Sequence, residues 1–229
     1  MRFALIQIAL GVVLLAGAIT LGPWARVLLW PGGSVLAVGV AYLRIGGFGP
    51  GVFGKRLDGR LRWPNVALLL PYFVVAWTLW QLKSRIADEN PYDEVAPGIL
   101  VGRRPLTPDE FPSHATVVVD LTSEFSRSPA TTSVARYECA PTLDTTPPDD
   151  DALVGLVDAL ADHDGVLFVH CAMGHGRSAT VAAGLLLRRG LAVDVQEAIA
   201  LMKAQRPLIH LHRGQRDAIT RLFVEPGRG

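Results

Sequence analysis

"FVHCAMGHGRSATVAAGLLLRR", residues 168–189, decides how the chain is read. The apolar run "GVLFVH" (165–170) has the near-continuous hydrophobicity of a parallel strand buried on both faces. A cysteine and two glycines follow, and a mostly apolar helical stretch opens at Arg177. In such a strand–loop–helix unit the loop N–H groups and the unpaired donors of the first helical turn converge on one point, which favours an anion. Gly174 and Gly176 let the backbone curl around it without a side-chain clash. Arg177 closes the site as a planar fork that takes two phosphate oxygens at once. Cys171, set in that field, is favoured as the nucleophilic thiolate. The loop Ala172, Met173, Gly174, His175 and Gly176 thus both holds a phosphoryl group and aims a sulfur at it, so attack yields a covalent thiophosphate. A bare C-x5-R spacing arises often by chance; the strand before it, the glycines, Ser178 and the helix behind it give it meaning.

The 229 residues include two cysteines, Cys139 and Cys171, too few for a disulfide framework. Cys139 lies in an apolar strand-like stretch and is expected to be a small core residue. The net charge of +1 hides two unlike segments. Residues 1–85 carry nine Lys/Arg against Asp58 alone, whereas residues 86–229 carry thirteen basic and twenty acidic groups.

The basic segment contains three apolar runs, 3–22, 27–43 and 63–82. The first and third are long enough to cross a hydrocarbon core. The second holds Pro31, Gly32 and Gly33, and so spans, kinks or re-enters. Trp63, Trp77 and Trp80 with Lys83 and Arg85 suit interfacial anchors. Ala16-Gly17-Ala18 resembles a cleavage site, which makes a signal peptide the rival reading of the first run. The Gly- and Arg-rich linker "RIGGFGPGVFGKRLDGRLRW" (44–63) is expected to lie on anionic headgroups. The expectation is therefore a transmembrane region over 1–85 and a catalytic domain over 86–229. With three spans, counting basic loops puts the catalytic domain outside the cytoplasm. A reduced thiolate points to the cytoplasm instead, and that side is the expectation adopted.

From residue 86 onward the pattern is that of an α/β domain with a central sheet flanked by helices. "GILVG", "TVVVDL", "SVARYECA" and "GVLFVH" read as strands. Thr107, Pro108 and Glu110 spell an N-cap, a first helical proline and a capping box. "PPDDDALVGLVDALADH" (147–163) is an amphipathic helix with acids in its first turn. Helices follow over 177–189, from the Asp194/Glu197 cap to 204, and over 214–223.

"VHCAMGHGRSA" resembles the signature H-C-x-x-G-x-x-R-S/T of the cysteine-dependent protein tyrosine phosphatase superfamily, and is most similar to its compact dual-specificity branch. The resemblance covers about residues 92–224. "TLDTTPP" and "QRPLIHLHRGQ" are also similar to lipid-directed members that act on phosphatidylglycerophosphate. The apolar segment, outside this match, resembles the multi-span anchors of bacterial inner-membrane proteins. The resemblance implies that His170 orients the loop, Cys171 is the nucleophile, Arg177 binds phosphate and Ser178 assists release of the sulfur. It also implies a general acid on an upstream loop, a position matched by Asp144, since Asp149, Asp150 and Asp151 read as a helix's first turn. Ala172 lacks the lysine that lipid phosphatases often place there.

Among the remaining candidates, His114 and His163 read as solvated, and His175, His210 and His212 as either cleft-lining or solvated. No H-x-x-x-H or C-x-x-C pattern suggests a metal, and no cofactor is expected. Nucleic-acid binding is disfavoured by the acidic soluble segment. The sequence thus points to a membrane-anchored phosphatase acting on phosphoprotein or phospholipid. The alternative is a non-catalytic phosphate-binding module on a membrane scaffold.

Overall fold

The computed structural model describes residues 2–43 and 49–224. Arg44 of the basic linker lies outside the described residues. The chain forms two compact units. One comprises Met1–Arg56, Arg60–Ile86 and Ser123–Ser126; the other comprises Leu57–Gly59, Ala87–Thr122 and Arg127–Gly229.

The first unit is built from α1 (Arg2–Thr20), α2 (Leu29–Leu43) and α3 (Trp63–Ile86). All three helical segments are long and apolar enough to cross a membrane: Phe3–Thr20 has a mean hydropathy of 2.3, and Pro23–Leu43 and Trp63–Ile86 each 1.4. Only 17% of the first is buried inside the unit, so its apolar side chains face outward. The second segment is longer than the sequence suggests because a 3-10 turn, Pro23–Leu28, leads into α2. Pro31 falls in the first turn of α2, where its missing N–H breaks no helical bond, so the helix runs on without interruption. The third segment continues to Ile86 rather than stopping at 82.

Close helix packing here depends on small residues. A Cβ on Gly39 would stand 2.9 Å from the backbone nitrogen of Ile8, and one on Gly11 would meet Leu36 at 2.8 Å. Pro71 inside α3 withholds a donor and crowds the preceding turn. Two α2 side chains, one turn apart, bond the backbone there. Trp30 Nε1 donates to the Leu68 carbonyl at 3.0 Å, and the Tyr72 N–H donates to Ser34 Oγ at 3.3 Å. Re-satisfying backbone groups around a helical proline is a strong requirement where no water is at hand.

The second unit holds a five-stranded sheet: β1 (Tyr92–Ala96), β2 (Ile99–Arg103), β3 (Val117–Thr122), β4 (Arg136–Thr142) and β5 (Leu167–Cys171). The order is β1-β2-β5-β3-β4, antiparallel at β1–β2 and parallel elsewhere. As its apolar run implies, β5 is central and buried throughout. One face packs Val101, Val119 and Val169 against α4 (Asp150–Ala161) and α5 (Arg177–Arg188) through Leu153, Val157 and Leu185. The other gathers Leu100, Val118 and Phe168 beneath Tyr92 and Phe111. Then follow α6 (Val195–Gln205), capped as expected by Asp194 accepting from the Glu197 N–H at 2.8 Å, and α7 (Arg213–Ile219), which widens into a π-helical turn through Val224.

Four local readings need correction. The expected capping box at Thr107 is a single 3-10 turn, Pro108–Glu110, without a side-chain cap. Glu110 is drawn elsewhere, to Arg103 Nη2 at 2.7 Å and the Leu106 N–H at 2.8 Å. Cys139 is half-buried rather than in the core, because β4 is an edge strand. His163 is not merely solvated; its Nε2 bonds Thr116 Oγ1 at 2.8 Å. Finally, β1 is an additional strand, turned back by Gly98 at φ 74°.

Gly39→Leu should force α1 and α2 apart, whereas Gly33→Leu, with nothing within 4 Å of the new Cβ, should be tolerated. Thermal unfolding of the full chain in detergent should show a lowered midpoint for the first and a near-native one for the second.

Candidate active site

The loop between β5 and α5 is shaped by what holds its carbonyls. The oxygens of Cys171 and Ala172 accept from the Arg104 N–H at 2.7 and 3.4 Å. Those of Met173 and Gly174 accept from Arg206 Nη2 and Nε, both at 3.1 Å. The His175 oxygen accepts from the His210 N–H at 3.1 Å, and the Gly176 oxygen from the Thr180 N–H at 2.9 Å. Every carbonyl from 171 to 176 is therefore engaged by a group outside the loop. In a trans peptide the N–H points opposite its carbonyl, so pinning one side outward turns the other toward the loop centre. The Gly174 N–H does point there, at 3.2 Å from Cys171 Sγ.

That geometry needs glycine at 174. Its φ is +79°, and a Cβ would overlap the backbone carbonyl of Gly102 on β2. Gly102 is itself confined between Pro91, Tyr92 and Phe168.

Cys171 is 3% exposed at the end of β5, with Ser178 Oγ 3.5 Å from its sulfur. His170 is fully buried, stacked on Phe168 with ring centroids 5.3 Å apart. Arg177 opens α5 with a side chain only 1% exposed. Its Nη1 donates to the carbonyls of Thr142 at 2.9 Å and Leu121 at 3.5 Å, at the C-terminal ends of β4 and β3. Its Nε lies 3.4 Å from Asp144 Oδ1, and Asp144 is 65% exposed on the loop after β4. Thus Cys171, Asp144, His175 and Gly176 line one cleft of about 270 Å³, with His210 and His212 at its rim. The neighbouring Asp149–Asp151 belong to the start of α4, as their sequence implied. Thr145, beside Asp144, has φ 63°, a conformation that strains a β-branched residue.

Sequence reasoning missed several residues that build the site. Arg206, 1% exposed, is tied to the Asn90 carbonyl at 2.9 Å, Asp93 Oδ2 at 2.7 Å and Glu89 Oε2 at 3.2 Å. Glu89 also meets His175 Nε2 with both oxygens, at 2.9 and 3.0 Å. Gln215, fully buried, donates to the Thr146 carbonyl at 3.1 Å and accepts from the His212 N–H at 2.9 Å, holding the Asp144 loop to the start of α7. Asp120 lies in register with His170 and accepts from Tyr137 Oη at 2.7 Å. Burial, and after it the Asp120 carboxylate, push the Tyr137 phenol well above its ordinary value, so it remains the donor. A charged residue inside "TVVVDL" was the legible signal for Asp120.

Two larger concavities lack this chemistry. The groove of about 480 Å³ beside β4 includes Cys139, but its one arginine, Arg136, is paired with Glu138, and Asp149 and Asp151 add further negative charge that disfavours an anion. The other, about 580 Å³, lies around Gly98, Asp162 and Asp164. Among the described residues no group of three or more His, Cys, Asp or Glu could hold a metal ion.

Gly174→Ala should disable the loop, lowering both phosphate-analogue binding and turnover at least tenfold. Gly190→Ala, also at positive φ but in open space, should cost about 1 kcal/mol of stability and leave turnover unchanged.

The comparisons agree with this architecture. Residues 95–221 match the family described as Swiss Army Knife protein, DSP-PTPase phosphatase domain (PTP-SAK). Among solved structures, PTPMT1 in complex with PI(5)P is 20% identical, with a TM-score of 0.51 over 59% of this chain and 96% of that one. Tk-PTP in its active form is 22% identical, with a TM-score of 0.50 over 59% and 97%. At such identities the likeness is one of fold. A comparison with curated proteins gave no match. With the family's domain spanning more than half of its length, the chain belongs to the DSP-PTPase phosphatase domain family and is a phosphatase of the cysteine-dependent protein tyrosine phosphatase superfamily.

Proposed function

We propose that the protein is a membrane-anchored phosphomonoester phosphatase working through a cysteinyl-phosphate intermediate, with membrane phospholipids as its first substrate class and phosphoproteins as its second. The observation that carries this reading is that Cys171 and Asp144, from separate elements, line one cleft, with the buried Arg177 at 3.4 Å from Asp144.

In the first step Cys171 Sγ attacks phosphorus within the inward-facing loop amides while Arg177 forks two phosphoryl oxygens. The P–O ester bond breaks, and Asp144 gives its proton to the departing oxygen. In the second step Asp144, now a carboxylate, takes a proton from water as that water attacks phosphorus. The P–S bond breaks, and the Ser178 hydroxyl donates to the leaving sulfur. No metal or cofactor is required. The Arg177–Asp144 contact fits this cycle: an incoming phosphate takes the guanidinium and releases the exposed Asp144, which takes up a proton from solvent and faces the leaving group as the acid.

Two considerations favour a lipid substrate. Three apolar helices precede the domain, and tethering to a bilayer raises the effective concentration of substrates held there. The similar fold of PTPMT1 has been solved with PI(5)P. We assign the catalytic unit to the cytoplasmic face, where a thiolate stays reduced. A pure binding module has no use for Asp144 and Ser178 around the sulfur.

Cys171→Ser should abolish turnover while retaining tungstate binding; turnover at the wild-type level would mean another nucleophile. Asp144→Asn should lower kcat by about 10²–10⁴-fold on alkyl phosphates and far less on p-nitrophenyl phosphate, whose leaving group needs no proton. In bilayers, phospholipid phosphomonoesters should be hydrolysed faster than phosphotyrosine peptides; the reverse order would shift the assignment to phosphoproteins. A membrane-impermeant maleimide should label Cys139 in inverted vesicles and not in right-side-out ones.

A further inference from the structure

The segment between the end of α3 at Ile86 and β1 lies outside the family's matched region, which begins at residue 95. It nevertheless fastens the phosphate loop. Arg206 reaches from the end of α6 and makes four hydrogen bonds and a further ion pair. Two hold the carbonyls of Met173 and Gly174, and the others go to the Asn90 carbonyl, Asp93 and Glu89. A guanidinium that is 1% exposed needs carboxylate partners to be tolerated there at all. Glu89, with 10% of its side chain exposed, is shared between Arg206 and His175, and His175 belongs to the phosphate loop itself. The backbone of the same segment adds a further tie: the Pro91 carbonyl accepts from the Arg103 N–H at 2.8 Å, next to the glycine on which Gly174 packs.

We propose that Glu89 and Asp93 are positioning residues of the catalytic loop. They fix Arg206, which holds two loop carbonyls outward, and Glu89 also holds the loop side chain of His175, so the amides stay turned toward the phosphoryl group. Neither touches substrate. This rests on the phosphatase reading above and adds to it a carboxylate pair that a domain cut at the family boundary would lack.

The loop amides grip the phosphoryl group in the ground state and the transition state alike, so loosening them weakens binding more than it slows chemistry. The test uses the full chain in detergent, with p-nitrophenyl phosphate turnover, inhibition by tungstate and thermal unfolding read together. Glu89→Gln should lower the unfolding midpoint, since it removes one carboxylate from a buried guanidinium. At temperatures where the variant is still fully folded, it should raise KM and the tungstate inhibition constant about tenfold, with kcat within about threefold of wild type. Glu89→Asp should recover part of the loss. Asp93→Asn should act in the same direction, and the Glu89→Gln effect should shrink in a His175→Asn background, because the two share one contact. Glu94→Gln, an exposed neighbour on β1 bonded only to the Gly98 N–H, should behave as wild type.

Glu89→Gln with KM and tungstate inhibition within twofold of wild type overturns the proposal. So does a loss that merely follows the fraction of protein unfolded. A wild-type chain that neither turns over the aryl phosphate nor binds tungstate sinks the phosphatase reading and this proposal with it. An active wild type with an indifferent Glu89→Gln overturns this proposal alone.

Discussion

Six consecutive carbonyls pulled outward are the constraint on which the site depends. A loop of free peptides would spread its dipoles toward solvent; here Arg104, Arg206, His210 and the first turn of α5 each take one or two oxygens from residues 171–176. Trans peptide geometry then turns the N–H groups inward, and that of Gly174 lies 3.2 Å from the sulfur of Cys171. Two glycines make this sterically feasible. Gly174 supplies the positive φ, and Gly102 supplies the space into which Gly174 settles.

The remaining parts reach this loop because parallel strands deliver their C-terminal ends to one crevice. Cys171 ends β5, the carbonyls that steady Arg177 belong to the ends of β3 and β4, and Asp144 follows β4 by two residues. Arg177 links two tasks. Its Nη1 is tied to the sheet, while its Nε faces Asp144, which holds the exposed carboxylate close to the loop.

The fold and the central loop were legible because their signals are local. The apolar run of β5, the cysteine, the glycines and the arginine fall within a dozen residues, and the periodicity of α4 and the Asp194 cap of α6 are equally short-range. What was not legible is set by long-range pairing. Arg206 and Asp93 stand 113 residues apart in the chain, so "QRPLI" shows an arginine before a proline and nothing of what it binds. The capping box at Thr107 failed although its glutamate is present: one Glu110 oxygen goes to Arg103 on the preceding strand and the other to the Leu106 N–H in place of the Thr107 N–H. The first strand escaped notice because an edge strand with Asp93 and Glu94 lacks the apolar alternation by which strands are recognised.

The claim at the centre of this account is that the sulfur of Cys171 becomes covalently attached to phosphorus. Acid quenching of the full chain during steady-state turnover, followed by peptide mass spectrometry, tests it directly. A phosphoryl group on the peptide containing Cys171, accumulating further in Ser178→Ala where release of the sulfur is slowed, is the expected result. Full turnover with that peptide unmodified, or with the phosphoryl group on another residue, would contradict it.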